Sequence, residues 1–189
     1  NKDAAFGLKP IGKVGQNRDA GGLSEYDIAA SATAIYFNDP VKMKNDGTIE
    51  VAGAGGAILG SINGVFFTDA TTSKPTFANH LNASNTATDI VGFISDDPYE
   101  RFEIQTNNTG ASAKTDIFNV ADIAYTAGSS PDFVSAVELN DSTLAQGSSA
   151  TLQILGLSRD PDNNDVGSAN VNWIVRINEH ELDMNVNGV

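Results

Sequence analysis

The chain contains no cysteine, a single tryptophan, few cations and no long apolar run, and each scarcity closes a class of explanation. Without cysteine there are neither disulfides nor thiolate metal sites, so stability must come from packing, hydrogen bonds or association with other subunits. Only 11 Lys and Arg stand against 24 Asp and Glu, for a formal net charge of -13. The cations are scattered, whereas nucleic-acid affinity needs them clustered against phosphates, so no nucleic-acid partner is expected. The amino end, Asn1 to Leu8, lacks the apolar stretch of a secretory signal, and nothing approaches the length of a membrane span. No membrane partner is expected either. Heptads, fixed-period repeats, GxxxxGK[ST], GxGxxG before a helix, HExxH and GxSxG are all missing.

What is present favours short strands and turns. The 189 residues, 40% of them hydrophobic, suffice for one buried core plus a small subdomain or arm. Glycine at 18 positions, with abundant Ser, Thr and Asn, works against long helices. The clearest instruction is the pair Thr151–Ser158 and Asn170–Leu182. In the second segment Val171, Trp173, Val175 and Ile177 alternate with Asn172, Ile174, Arg176 and Asn178, the period-2 signature of a strand with one buried face. Trp173 is therefore expected in the core rather than stacked on a sugar.

Residues 1–30 carry Gly7, Pro10, Gly12, Gly15, Gly21 and Gly22, which forbid a helix or a long strand. They read as an extended arm before a single β domain at 31–189. Phe6, Leu8, Ile11, Val14, Leu23 and Tyr26 are its apolar anchors, and anchors need a surface, either this domain or a neighbour. A strand is expected over 31–37. The hairpin after it is set by pairing: a three-residue loop Asn45-Asp46-Gly47 matches Met43 with Ile49, Lys42 with Glu50 and Val41 with Val51, whereas a two-residue loop would set Met43 against Glu50.

Further on, Ile58, Gly60, Ile62, Gly64 and Phe66 are expected on one side of a strand, the two glycines marking a bend or a close backbone. Residues 69–88 read as a loop. Residues 89–95 form a strand apolar on both faces, and Asp96-Asp97-Pro98 turns it into a hairpin with 100–105. A short helix is expected at 115–124, with a strand at 121–126 as its competitor, and another strand at 134–139. The fold class is mainly β, a small barrel or sandwich with an extended amino-terminal arm and at most one or two short helices.

Chemistry-bearing groups are sparse. Asp160, Asp162 and Asp165 are the best oxygen ligands for a hard cation, but an EF-hand count from Asp160 wants Gly at 165 and Glu at 171, where Asp165 and Val171 stand. The loop reads as a solvated turn. His180 lies between Glu179 and Glu181, which point to the opposite face of a strand, so they form no tripod; a solvent-exposed strand end is expected, and His80 is the only other imidazole. Asp96 and Asp97 could serve as an acid–base pair, yet adjacent carboxylates before a proline usually make a turn. The sequons at Asn82, Asn107 and Asn140 carry no weight in a chain so rich in Asn, Ser and Thr. No catalytic residue and no cofactor are expected.

The series Ala5-Phe-Gly-Leu-Lys-Pro10, Asn38-Asp-Pro-Val-Lys42, Asp46-Gly-Thr-Ile49, Leu59-Gly60, Gly64-Val-Phe-Phe67, Ser95-Asp-Asp-Pro98, Phe102-Glu-Ile-Gln105, Leu152-Gln-Ile-Leu-Gly-Leu157 and Ile177-Asn-Glu-His180 resembles a family of tailed-bacteriophage virion structural proteins, the head decoration or capsid cement proteins. The resemblance spans most of the chain in strand and turn words and carries over no catalytic residue. It implies a mostly β, non-enzymatic protein on the outer capsid surface, bound to the major capsid protein and to copies of itself, often as a homotrimer, and assembled in the bacterial cytoplasm. The alternative is a virion-surface fibre or adhesin module that recognises host glycans; a third reading, a small β hydrolase, would rest on Asp96 and Asp97.

Overall fold

The computed structural model describes residues 1–15, 22–107, 112–147 and 149–183. Within them run thirteen strands: β1 (Lys9–Lys13), β2 (Ser24–Asp27), β3 (Pro40–Met43), β4 (Ile49–Val51), β5 (Gly60–Thr68), β6 (Pro75–Ala78), β7 (Val91–Ser95), β8 (Glu100–Gln105), β9 (Val120–Ala121), β10 (Ile123–Ala124), β11 (Glu138–Leu139), β12 (Leu152–Leu157) and β13 (Asn172–Ile177). The helical elements among these residues are two 3-10 turns, Lys114–Asp116 and Asp141–Thr143. Sheet I has the order β1-β8-β13-β12-β9; sheet II has the order β2-β7-β5-β3-β4, with β6 on the far half of β5; β10 and β11 form a separate ribbon. The chain is mainly β and sandwich-like, and among the described residues no sheet closes into a barrel.

Two cores follow from two apolar stripes. Phe102 and Ile104 of β8, Leu152 and Ile154 of β12, and Trp173, Val175 and Ile177 of β13 pack with Leu8, Ile58, Ile123, Val137 and Leu139. The second core joins Ile62 and Val65 of β5, Ile94 of β7, Val41 and Ile49 to Ile28, Ile35, Leu81 and Ile90, which close its other side. Alternation along β13 is as the sequence predicts, and Trp173 is fully buried. β13 lies between β8 and β12, with Val175 opposite both Phe102 and Ile154.

The β3–β4 hairpin has the expected register, Val41 with Val51, Lys42 with Glu50 and Met43 with Ile49. Gly47 takes φ 84° and its amide donates to the Lys44 carbonyl at 3.0 Å, the left-handed step that a three-residue loop requires. The Lys42–Glu50 ion pair spans 3.3 Å at the surface, worth about 0.2–1 kcal/mol.

Four local expectations are corrected. The segment 31–37 makes only isolated bridges at Ile35 and Phe37. The stretch 69–88 contains β6, paired with β5. At 115–124 a 3-10 turn gives way to β9 and β10; the apolar spacing that fits a helix is used instead by two short strands whose Val120, Ala121 and Ile123 are all buried. Of the strand at 134–139, only Glu138–Leu139 and a bridge at Val134 form.

The largest correction concerns Asp96-Asp97-Pro98. It does not close a hairpin: β7 pairs with β2 and β5 in sheet II, while β8 pairs with β1 and β13 in sheet I. The turn carries the chain from one sheet to the other, because each strand feeds a different core. Asp97 secures it by accepting from the Tyr99 amide at 2.8 Å and pairing with Lys13 at 2.8 Å.

Candidate interaction surfaces

Residues 1–15 and 22–28 contribute β1 and β2 and lie on the chain's own domain. The Gln105 side chain holds the Lys2 carbonyl at 3.1 Å and the Ala4 amide at 2.9 Å. The Leu8 amide donates to the Asn38 carbonyl at 2.9 Å. β1 then adds to the edge of sheet I beside β8, and β2 to the edge of sheet II beside β7. Residues 16–21 of the expected arm lie outside the described residues.

This placement sorts the six apolar anchors. Leu8 is sealed in the first core and is corrected from a surface contact to a core residue. Phe6 is half-buried, with the Lys9 ammonium 5.8 Å from its ring centre. The Tyr26 hydroxyl donates to Asp96 at 2.6 Å; burial and that carboxylate push its pKa up to about 12. Ile11, Val14 and Leu23 remain 42%, 39% and 43% exposed. The Val14 amide donates to the Tyr99 carbonyl at 2.7 Å, and Tyr99 shares a shallow cleft with Pro98, Ile177 and Leu182. Exposed apolar side chains thus gather where the end of β1 meets the inter-sheet turn.

The seam between the sheets explains the carboxylates and the histidine. Asp96 accepts from Ser24 at 2.9 Å and from Tyr26, so both of its oxygens tie β2 to the turn. Glu181 accepts from the Met43 amide at 2.7 Å. His180 is corrected from a solvent-exposed strand end to a buried residue at 1% exposure. Its neighbours Glu179 and Glu181 bond through their backbones to Ile58 at 3.0 and 3.1 Å, clasping the end of sheet I to the start of β5. The His180 Nδ1 accepts from the Leu182 amide at 3.0 Å, which places the ring proton on Nε2, an atom with no partner among the described residues. Burial lowers its pKa, opposed by Asp96, Asp183 and Asp97.

In the acidic loop, Asp160 accepts from the Asp162 amide at 3.1 Å and Asp165 from the Ser168 hydroxyl at 2.8 Å. Asn163 reaches the Lys2 and Asn170 carbonyls. These are local turns tied to the amino terminus, and among the described residues no three His, Asp or Glu gather in a way that could hold a metal. His80 stacks on Phe133 with ring centres 3.8 Å apart.

One surface escapes the sequence reading. Phe66 was expected beside Ile62, but a register shift between Ile62 and Gly64 reverses the alternation. Val65 enters the core in its place, and Phe66 turns to the outer face of sheet II. There it meets Phe77 at 4.8 Å between ring centres, and Phe77 meets Phe93 at 6.3 Å. The one available signal was β7 itself, whose apolar residues on both faces require two apolar environments. No protein-family model, no curated protein and no solved structure matches the chain.

Proposed function

We propose that the protein is a non-enzymatic capsid decoration protein that binds the outer surface of a bacteriophage head through the end of β1 and the adjoining turn. The observation that carries this reading is the placement of Ile11 and Val14. The segment that bears them is rooted in the domain by buried Leu8, yet it leaves Ile11, on edge strand β1, and Val14, just past its end, partly exposed. An apolar edge already tied to the domain by backbone hydrogen bonds suits docking, since less conformational entropy is lost on association. The sequence resemblance to head decoration proteins supplies the partner, the major capsid protein, with neighbouring copies in a trimer. The net charge of -13 suits a protein on the outside of a shell, away from packaged nucleic acid.

Deleting residues 1–25 would also remove Leu8 from the core, so point variants give the cleaner experiment. Ile11→Ser with Val14→Ser is expected to strip the protein from particles of the phage that encodes it, read as occupancy by electron microscopy, with the fold retained. Full occupancy of the double variant overturns this contact.

A further inference from the structure

On the outer face of sheet II the strand registers align side chains in rows. Asp27 faces Val91, Val91 faces Phe66, and Phe66 faces Phe77, across β2, β7, β5 and β6. In the next row Glu25 faces Phe93, which faces Gly64. The result is an apolar strip of Val91, Phe93, Phe66 and Phe77 with two carboxylates along its β2 border, and Lys74 just beyond the opposite border, before β6. Phe77 is 74% exposed. Gly64 leaves a gap in the second row because a side chain there would press on the Ala78 carbonyl, 3.0 Å from the Cβ position. Together Glu25, Phe66, Phe77, Val91 and Phe93 line a shallow depression.

Such a strip exposes to water the residue type that dominates binding hot spots, and contiguous apolar patches on soluble proteins mark interaction sites. The chemistry of the border selects the occupant. Two carboxylates on one side, with no ion pair among the described residues, call for a cation directly above them, and charge complementarity fixes register and excludes wrong partners. A second copy of this chain brings another net charge of -13. A sugar ring wants a flat platform, whereas the three rings share no single plane: Phe77 lies within 18° of Phe93 but is tilted by 50° from Phe66.

We propose that the outer face of sheet II docks a segment of a partner protein whose apolar side chains fill the strip and whose lysine or arginine sits over Glu25 and Asp27. This inference stands apart from the capsid reading, whose test uses Ile11 on β1 of sheet I and Val14 just past its end.

The probe is a seven-residue, end-blocked, fluorescein-labelled peptide of alternating leucine and lysine, with a glutamate-for-lysine peptide as control, both read by anisotropy against the full chain. The lysine peptide binds, and the glutamate peptide does not. Phe77→Ser weakens binding about 10-fold at an unchanged thermal midpoint, and Phe93→Ser gives the same loss. Glu25→Gln with Asp27→Asn weakens it several-fold and flattens its salt dependence. Equal binding by parent and variants overturns the proposal, as does equal binding of the two peptides or no binding of either. A parent dimer that Phe77→Ser converts to monomer in sedimentation assigns the face to a second copy and also overturns it. So does binding of a linear glucose oligosaccharide that Phe77→Ser abolishes.

Discussion

The hydroxyl of Ser61 donates to the backbone carbonyl of Leu8 at 2.6 Å, with both residues sealed from solvent. Ser61 belongs to β5 of sheet II, while the Leu8 side chain belongs to the core under sheet I. One hydrogen bond therefore links the amino-terminal segment to both halves of the molecule, and the segment is a structural part of the fold as well as a carrier of exposed anchors.

Leu8→Ala is expected to cost about 2–5 kcal/mol, from lost burial and the cavity it leaves. Ser61→Ala, which strands a buried carbonyl, is expected to cost about 1–3 kcal/mol. For a chain of this size each kcal/mol lowers the melting midpoint by about 2–4 °C. Thermal unfolding followed by circular dichroism checks both, and a loss below 0.5 kcal/mol for Leu8→Ala would show the segment to be peripheral.

Gly60 and Gly7 resist substitution for different reasons. A Cβ on Gly60 would overlap the Ser95 carbonyl where β5 passes the end of β7. At Gly7, with φ 75°, it would meet the Asn38 carbonyl and Ser135, so strain adds to collision. Each Gly→Ala change is expected to cost about 3 kcal/mol. Gly53→Ala has open space around its Cβ and serves as the neutral control in the same denaturant titration.

Acid acts on this protein with two opposite signs. Burial pushes Asp39 up to about 6 from 3.8, against the Ser135 hydroxyl and the Tyr36 amide. Its folded form holds the proton more tightly than the unfolded chain, so its contribution is fully present below pH 3.8 and is lost as pH rises through 6. Asp39→Asn is expected to raise the melting midpoint at pH 7 and to remove that part of the slope between pH 4 and 6. An unchanged pH profile in the variant would refute the assignment.

His180 works the other way. Its pKa is lowered in the fold from 6.5, so its contribution is present above pH 6.5 and is lost as pH falls through the folded value. Charging the ring in its buried site is expected to loosen the clasp of residues 179–181 on Ile58. Hydrogen exchange is the direct measurement: protection of the Ile58 and Glu181 amides drops on acidification in the parent and stays level in His180→Asn.

Asp96 gives a fifth test. Asp96→Ala removes both acceptors that hold Ser24 and Tyr26 and is expected to cost about 1–3 kcal/mol. Asp96→Asn keeps one acceptor and is expected to cost less. Tyr26 titration by absorbance reports the same contact: without the carboxylate its pKa falls back from about 12 towards the ordinary phenol value.

The parts of this fold written in local pattern were legible in the chain alone. The alternation of Val171, Trp173, Val175 and Ile177 determined a half-buried strand, because period 2 admits only one face to a core. The pairing of Met43 with Ile49 and Lys42 with Glu50 determined a hairpin register, because a slip would bury charge. Glycines 60 and 64 announced close backbones, and cysteine-free composition determined that packing, hydrogen bonds or association, and no disulfide, must hold the protein. Partner choice between distant strands was not legible. An Asp-Asp-Pro turn reads the same whether it closes a hairpin or crosses between sheets, and only the existence of two separate cores decided that β7 and β8 part company. The register shift after Ile62 is likewise a tertiary event: it sends Val65 inward and Phe66 outward, and so creates the aromatic face. His180 was buried by a segment more than a hundred residues earlier in the chain, at Ile58, a contact that no local periodicity encodes.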